Sequence, residues 1–110
     1  MAYTIDGILA DPLITVVDRH DEMGSFAIQV GVLETVIYIE LGRFRTSDIT
    51  KFHLSHAINT PEQLDAYRTS KPFADYWEYA LHQAVTAITM HYEIAVKKGH
   101  VPAESWLEPY

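Results

Sequence analysis

The sequence contains no cysteine, so disulfides, thiolate nucleophiles and zinc–thiolate centres are excluded. It holds only 5 glycines, which leaves little for a backbone phosphate cradle. It has no G-x-x-x-x-G-K-S/T loop, no G-x-G-x-x-G fingerprint, no G-x-S-x-G turn and no calcium loop. No apolar run approaches the roughly 18 residues that span a bilayer. No charged-then-apolar leader opens the chain, and the expectation is a cytoplasmic protein. Basic residues are also scarce: 8 against 15 acidic ones, for a net charge of −7. That balance disfavours nucleic acid, whose phosphates require clustered Lys and Arg.

What remains is a chain of 110 residues, enough for one domain and too short for two. It is 48% hydrophobic, which supports a packed core rather than a disordered chain. Its first half has the period of strands and its second half that of helix. This order predicts an α+β fold: an N-terminal antiparallel meander of three to four strands packed against a long C-terminal helix, with a short helix preceding it.

Residues 1–12 read as a lead-in. Leu13–Asp18 is rich in β-branched residues and predicts strand one; Arg19–Gly24 is its turn. In strand two, Ser25–Val30, the side chains of Phe26, Ile28 and Val30 share one face. Strand three, Thr35–Leu41, is apolar on both faces, which predicts a central strand or one covered on both sides. The segment 45–58 fits two patterns. As a helix it is capped by Ser47; as a strand over Lys51–Ala57 it carries an apolar residue at every second position, and the strand is favoured. Thr60-Pro61-Glu62-Gln63 has the form of a capping box and predicts a short helix to Tyr67. Pro72 opens the long helix, Lys97 and Lys98 suit its carboxyl end, and Gly99 its left-handed stop.

Residues 72 to 98 as helix would extend roughly 40 Å. A domain of this size has a radius of gyration near ~13 Å, so such a helix overhangs its sheet. Its apolar arc is also wide: Phe73, Trp77, Leu81, Ile88 and Tyr92 form a stripe, flanked by Met90 and Ile94 on one side and Val85 and Val96 on the other. Glu78, His82, Thr86, Thr89, Glu93 and Lys97 make a narrow polar strip. Cover from two sides is implied, and a homo-oligomer, a dimer first, is expected to supply part of it. The tail 100–110 carries Trp106, Leu107 and Tyr110, and is expected to pack on the domain or on a neighbouring subunit.

Candidate sites are few. His53 and His56 have a chelating spacing only on a helix; as strand residues they face apart, and no metal site is expected. Arg19, His20, Asp21 and Glu22 gather four ionisable groups in a turn and read as solvated. His56 and His91 are the weak candidates for a general base. Tyr67, Arg68, Lys71, Tyr76 and Trp77 bring two cations and three aromatic rings to the head of the long helix. Cations and unpaired amides there favour an anion, and the rings a planar ligand, so these five are the predicted ligand-binding residues.

Two functional classes follow. The first is a non-catalytic, acidic binding or regulatory protein that self-associates and takes a protein or small-molecule partner, without cofactor, membrane or nucleic acid. The alternative is a small acid–base enzyme, with His91 or His56 as base and Arg68 or Lys71 holding an anionic substrate between sheet and helix. An acidic mimic of nucleic acid is a third option, disfavoured by carboxylates spread evenly along the chain.

Overall fold

The computed structural model describes residues 3–44 and 49–110. It confirms the α+β class: a five-stranded antiparallel sheet carries the long helix on one face. The short helix lies at the N-terminus. Thr4 caps it, its hydroxyl accepting from the Gly7 amide at 3.0 Å, and α1 runs over Ile5–Leu9 inside the expected lead-in.

The meander follows as β1 (Ile14–His20), β2 (Ser25–Val30), β3 (Ile37–Arg43) and β4 (Thr50–Leu54). Its register aligns Phe26 with Ile39, Ile39 with Leu54, and Leu41 with Phe52, so one face is continuously apolar and buried. The opposite face is open. Tyr38 is 57% exposed, and Glu40, Lys51 and His53 lie beside it in solvent. Of the two expectations for strand three, the central position holds, since β3 is the middle strand of the five, whereas cover on both faces does not: its second face ends in water.

Within the described part of the ambiguous segment, Thr50–Leu54 and His56–Ile58 are strands, with a break at Ser55. The Ser55 amide donates to the Tyr38 carbonyl at 2.9 Å and its hydroxyl accepts from the Tyr38 amide at 2.8 Å. One residue thus satisfies both backbone groups of its neighbour, and the chain leaves the first sheet there. It resumes as β5 (His56–Ile58). Ser47, the cap of the helical alternative, lies outside the described residues.

The expected helix over 61–67 does not form, although the capping contacts do. The Thr60 amide donates to Gln63 Oε1 at 2.8 Å and the Glu62 amide to Thr60 Oγ1 at 3.3 Å. The Gln63 amide group then donates to the carbonyls of Ile58 and Asp65, at 3.0 and 3.2 Å, and fixes a turn instead. Pro72 does not open the long helix either. Its carbonyl accepts from the Phe52 amide at 2.9 Å, and Phe73–Ala74 adds to β4 as β6. A sheet edge with unsatisfied backbone groups outweighs an earlier helix start.

The long helix, α2, runs over Trp77–Lys97, 21 residues, or about 30 Å. The molecule measures 44 × 26 × 26 Å, so α2 does not overhang it. Gly99 ends it at φ 92°, with the Gly99 amide on the Val96 carbonyl and the His100 amide on that of Ala95. This is the left-handed stop that the sequence implies. Part of the apolar arc is covered within the chain: the sheet takes one side, α1 another, and the Trp106 ring meets Tyr92 edge-on at 5.9 Å. Thr89, expected in the polar strip, is buried, while Met90, Ile94 and Val96 are exposed. The helix is shorter than the expected overhang requires, while these three side chains leave part of its apolar arc uncovered.

The tail packs back on the domain. After a 3-10 turn at Glu104–Trp106, β7 (Leu107–Pro109) pairs antiparallel with β5, Leu107 opposite Ile58, and Trp106 and Leu107 are buried. No helix among the described residues is long and apolar enough to cross a membrane.

Candidate functional site

The turn after Thr60 determines where residues 67 to 73 run. The Tyr67 amide donates to the Ile58 carbonyl at 2.9 Å, and β6 holds the other end on β4. Between these anchors the segment stands away from α2 and leaves a cavity of about 370 Å³. Phe52, Phe73, Ala87 and Met90 give it apolar walls. Tyr67, Thr69, Lys71, Gln83 and Thr86 bring polar atoms to the same space. Its volume lies in the range of small-molecule pockets, and its lining mixes apolar walls with several polar groups.

Lys71 supplies the cation. No carboxylate among the described residues pairs with it. Its amide donates to Thr69 Oγ1 at 3.1 Å and its carbonyl accepts from the Phe73 amide at 2.8 Å, so the backbone beneath the side chain is held by a local turn. Thr86 donates to the His82 carbonyl at 2.9 Å, so its hydroxyl proton is engaged by the helix backbone.

His91 adjoins this space without lining it. Its ring lies 5.0 Å from that of Tyr67, and its buried Nε2 has no hydrogen-bond partner. Burial lowers its pKa below the ordinary imidazole value, so the ring is neutral near pH 7. A neutral imidazole with one free nitrogen beside a tyrosine could move a proton; its position behind Tyr67 keeps it from a ligand in the cavity.

The five predicted binding residues are divided four ways. Tyr67 and Lys71 meet at the cavity. Arg68 turns to the tail, donating to Glu108 and the Pro109 carbonyl at 3.1 Å each and to the Tyr110 carbonyl at 3.2 Å. Tyr76 stacks on Tyr79 at 5.6 Å. Trp77 packs under the first hairpin: its indole N–H donates to the Asp21 carbonyl at 3.2 Å, and Arg43 lies over its ring at 4.8 Å. His56 is remote from the cavity, on β5, with Nδ1 2.7 Å from Ser55 Oγ. The ionisable turn is partly paired: Arg19 meets Asp21 within it and Asp6 outside it, and His20 meets Asp18 on β1. Among the described residues no group of three or more acidic or histidine side chains could hold a metal.

Gln83, Thr86 and Met90 were not predicted. Their signal was available as spacing: i, i+3 and i+7 put them on one helix face. What was missing was the wall opposite, since a helix starting at Pro72 has no strand segment to stand against.

The fold and the cavity define a class: a single-layer antiparallel sheet bearing one long helix, with a side cavity of small-molecule size that carries one unpaired cation. No protein-family model matches the chain, and neither a curated protein nor a solved structure is significantly similar to it.

Proposed function

We propose that this chain is a non-catalytic binding protein, and that its ligand is a small amphiphilic anion held between α2 and the segment Tyr67–Phe73. The observation that carries this reading is Lys71, without a carboxylate partner among the described residues, on the lining of a cavity that also has apolar walls. A carboxylate or phosphate head would sit on the ammonium, and an aromatic or branched body against Phe52, Phe73 and Met90. Desolvating one end of such a ligand is offset by the charge-assisted contact, and the apolar end contributes area. Catalysis is the second reading. The free Nε2 of His91 favours it; the screen of Tyr67 weighs against it.

The test is a titration of 2-naphthoate and its neutral amide, followed by NMR. Naphthoate should shift Tyr67, Phe73 and Met90, and Lys71→Gln should weaken it about tenfold, the worth of one exposed charge contact. Equal binding of acid and amide, or no response at Met90, would overturn the reading. Turnover of any bound ester that vanishes in His91→Gln would favour the enzyme instead.

A further inference from the structure

On the other flank of α2, a second set of rings faces solvent, and it has the opposite electrostatic character. Tyr79 and His82 are three residues apart on the helix, with rings inclined by 18°. Tyr3 lies across both: its ring is 4.0 Å from His82 and parallel to Tyr79 within 1° at 5.7 Å. Tyr76 extends the row, 5.6 Å beyond Tyr79. Core packing accounts for only part of this ladder: Tyr79 packs against the core, while Tyr3 and Tyr76 remain 38% and 39% exposed. Its members sit on a rigid helix and on the residue before the α1 cap, so the ring faces are preorganised.

Beside the ladder, α1 and α2 enclose a cavity of about 510 Å³, lined by Tyr3, Thr4, Asp11 and His82 among others. Asp11 is the one charged residue of that lining, and no Lys or Arg contributes to it. The Asp11 carboxylate spends one oxygen on the Leu13 amide, at 2.9 Å, which leaves the other free. Burial keeps His82 uncharged near pH 7, so the imidazole does not repel a cation. Asp75 and Glu78 flank Tyr76 in the chain, and the whole molecule carries −7.

We propose that the Tyr3–Tyr79–His82 ladder and Asp11 form a docking surface for a basic protein partner, which inserts an arginine side chain over the rings. A planar guanidinium stacks flat on parallel rings while its N–H groups reach a carboxylate; an ammonium cannot do both. The row continues past the cavity to Tyr76, longer than one side chain requires, and this favours a protein segment over free arginine. Net negative charge would steer such a partner to the surface. This site is independent of the anion cavity beyond Thr86.

The experiment titrates the chain with the peptide acetyl-Gly-Arg-Gly-Arg-Gly-amide, with its lysine and citrulline counterparts, and with acetyl-arginine-amide, reading ring signals by NMR. The arginine peptide should shift Tyr3, Tyr79 and His82. The lysine peptide should bind several-fold more weakly, and the neutral citrulline peptide not at all. Tyr79→Leu should weaken arginine binding about tenfold, and Glu34→Gln, far from the ladder, should leave it unchanged. Tyr3→Leu supplies the same test from outside the helix if Tyr79→Leu fails to fold. Equal binding of the arginine and citrulline peptides, or unaltered binding in both tyrosine variants, would overturn the proposal. Acetyl-arginine-amide binding as tightly as the peptide would overturn the protein partner.

Discussion

The Tyr92 ring fills the space over Gly31. The glycine has φ 57°, a Cβ built on it would overlap the Tyr92 hydroxyl, and the Val32 amide donates to that same hydroxyl at 3.2 Å. The turn leaving β2 and the last third of α2 are therefore fitted to each other through one missing methyl group. The first hairpin repeats the arrangement: a Cβ on Gly24 would stand 2.5 Å from the Trp77 ring.

Gly31→Ala should accordingly lose about 3 kcal/mol, from left-handed strain and from displacement of Tyr92. Gly99→Ala is the control. It also has positive φ, 92°, but its Cβ would meet nothing within 4 Å, so it should lose only about 1 kcal/mol. Denaturant melts of the two variants check the difference. Similar losses would mean that Tyr92 yields without cost.

Arg68→Ala should release the tail more than it lowers the melting temperature. The Arg68–Glu108 pair is over a third exposed on both sides, and such pairs contribute about 1 kcal/mol or less. The same side chain also holds two tail carbonyls. Faster amide exchange at Leu107 and Tyr110, with the core amides unchanged, is the expected result. Unaltered exchange there would leave the β5–β7 pairing sufficient by itself.

Stability should fall on acidification in two steps. Burial depresses the pKa of His82 and His91 below the ordinary 6.5, so the unfolded chain takes up those protons first. Their contribution is complete above 6.5 and is lost as pH falls toward the folded values. Glu104 accepts from the amides of Glu34 and Thr35 and from the Thr35 hydroxyl, which holds its carboxyl below the ordinary 4.5. Its contribution is present above 4.5 and is lost below it. Melting temperatures across pH should show the first step flattened in His91→Leu and the second in Glu104→Gln. A profile without slope near 6 in the parent chain would contradict the first.

Much of this fold is legible in the residues. Alternation in Ser25–Val30 gives β2 to the residue. Lys97 and Gly99 mark the helix end because capping is a local matter, settled within a turn. The cavity between α2 and Tyr67–Phe73 is half legible: Tyr67 and Lys71 are identifiable as aromatic and cation near the helix head, whereas Gln83, Thr86 and Met90 are not.

What the sequence determined by itself is whatever depends on near neighbours: strand period, helix period, the stop at Gly99, the absence of thiol chemistry and the acidic balance. Only the tertiary structure decided the rest. The capping box at Thr60 forms its own contacts and still gives no helix, because Gln63 finds the Ile58 carbonyl. Pro72 begins a strand because the edge of β4 lacks a partner. Arg68 serves the tail, and Tyr3 reaches His82 across 79 positions of chain, because backbone groups and rings are satisfied by whatever packing brings near them, a distance that no local pattern encodes.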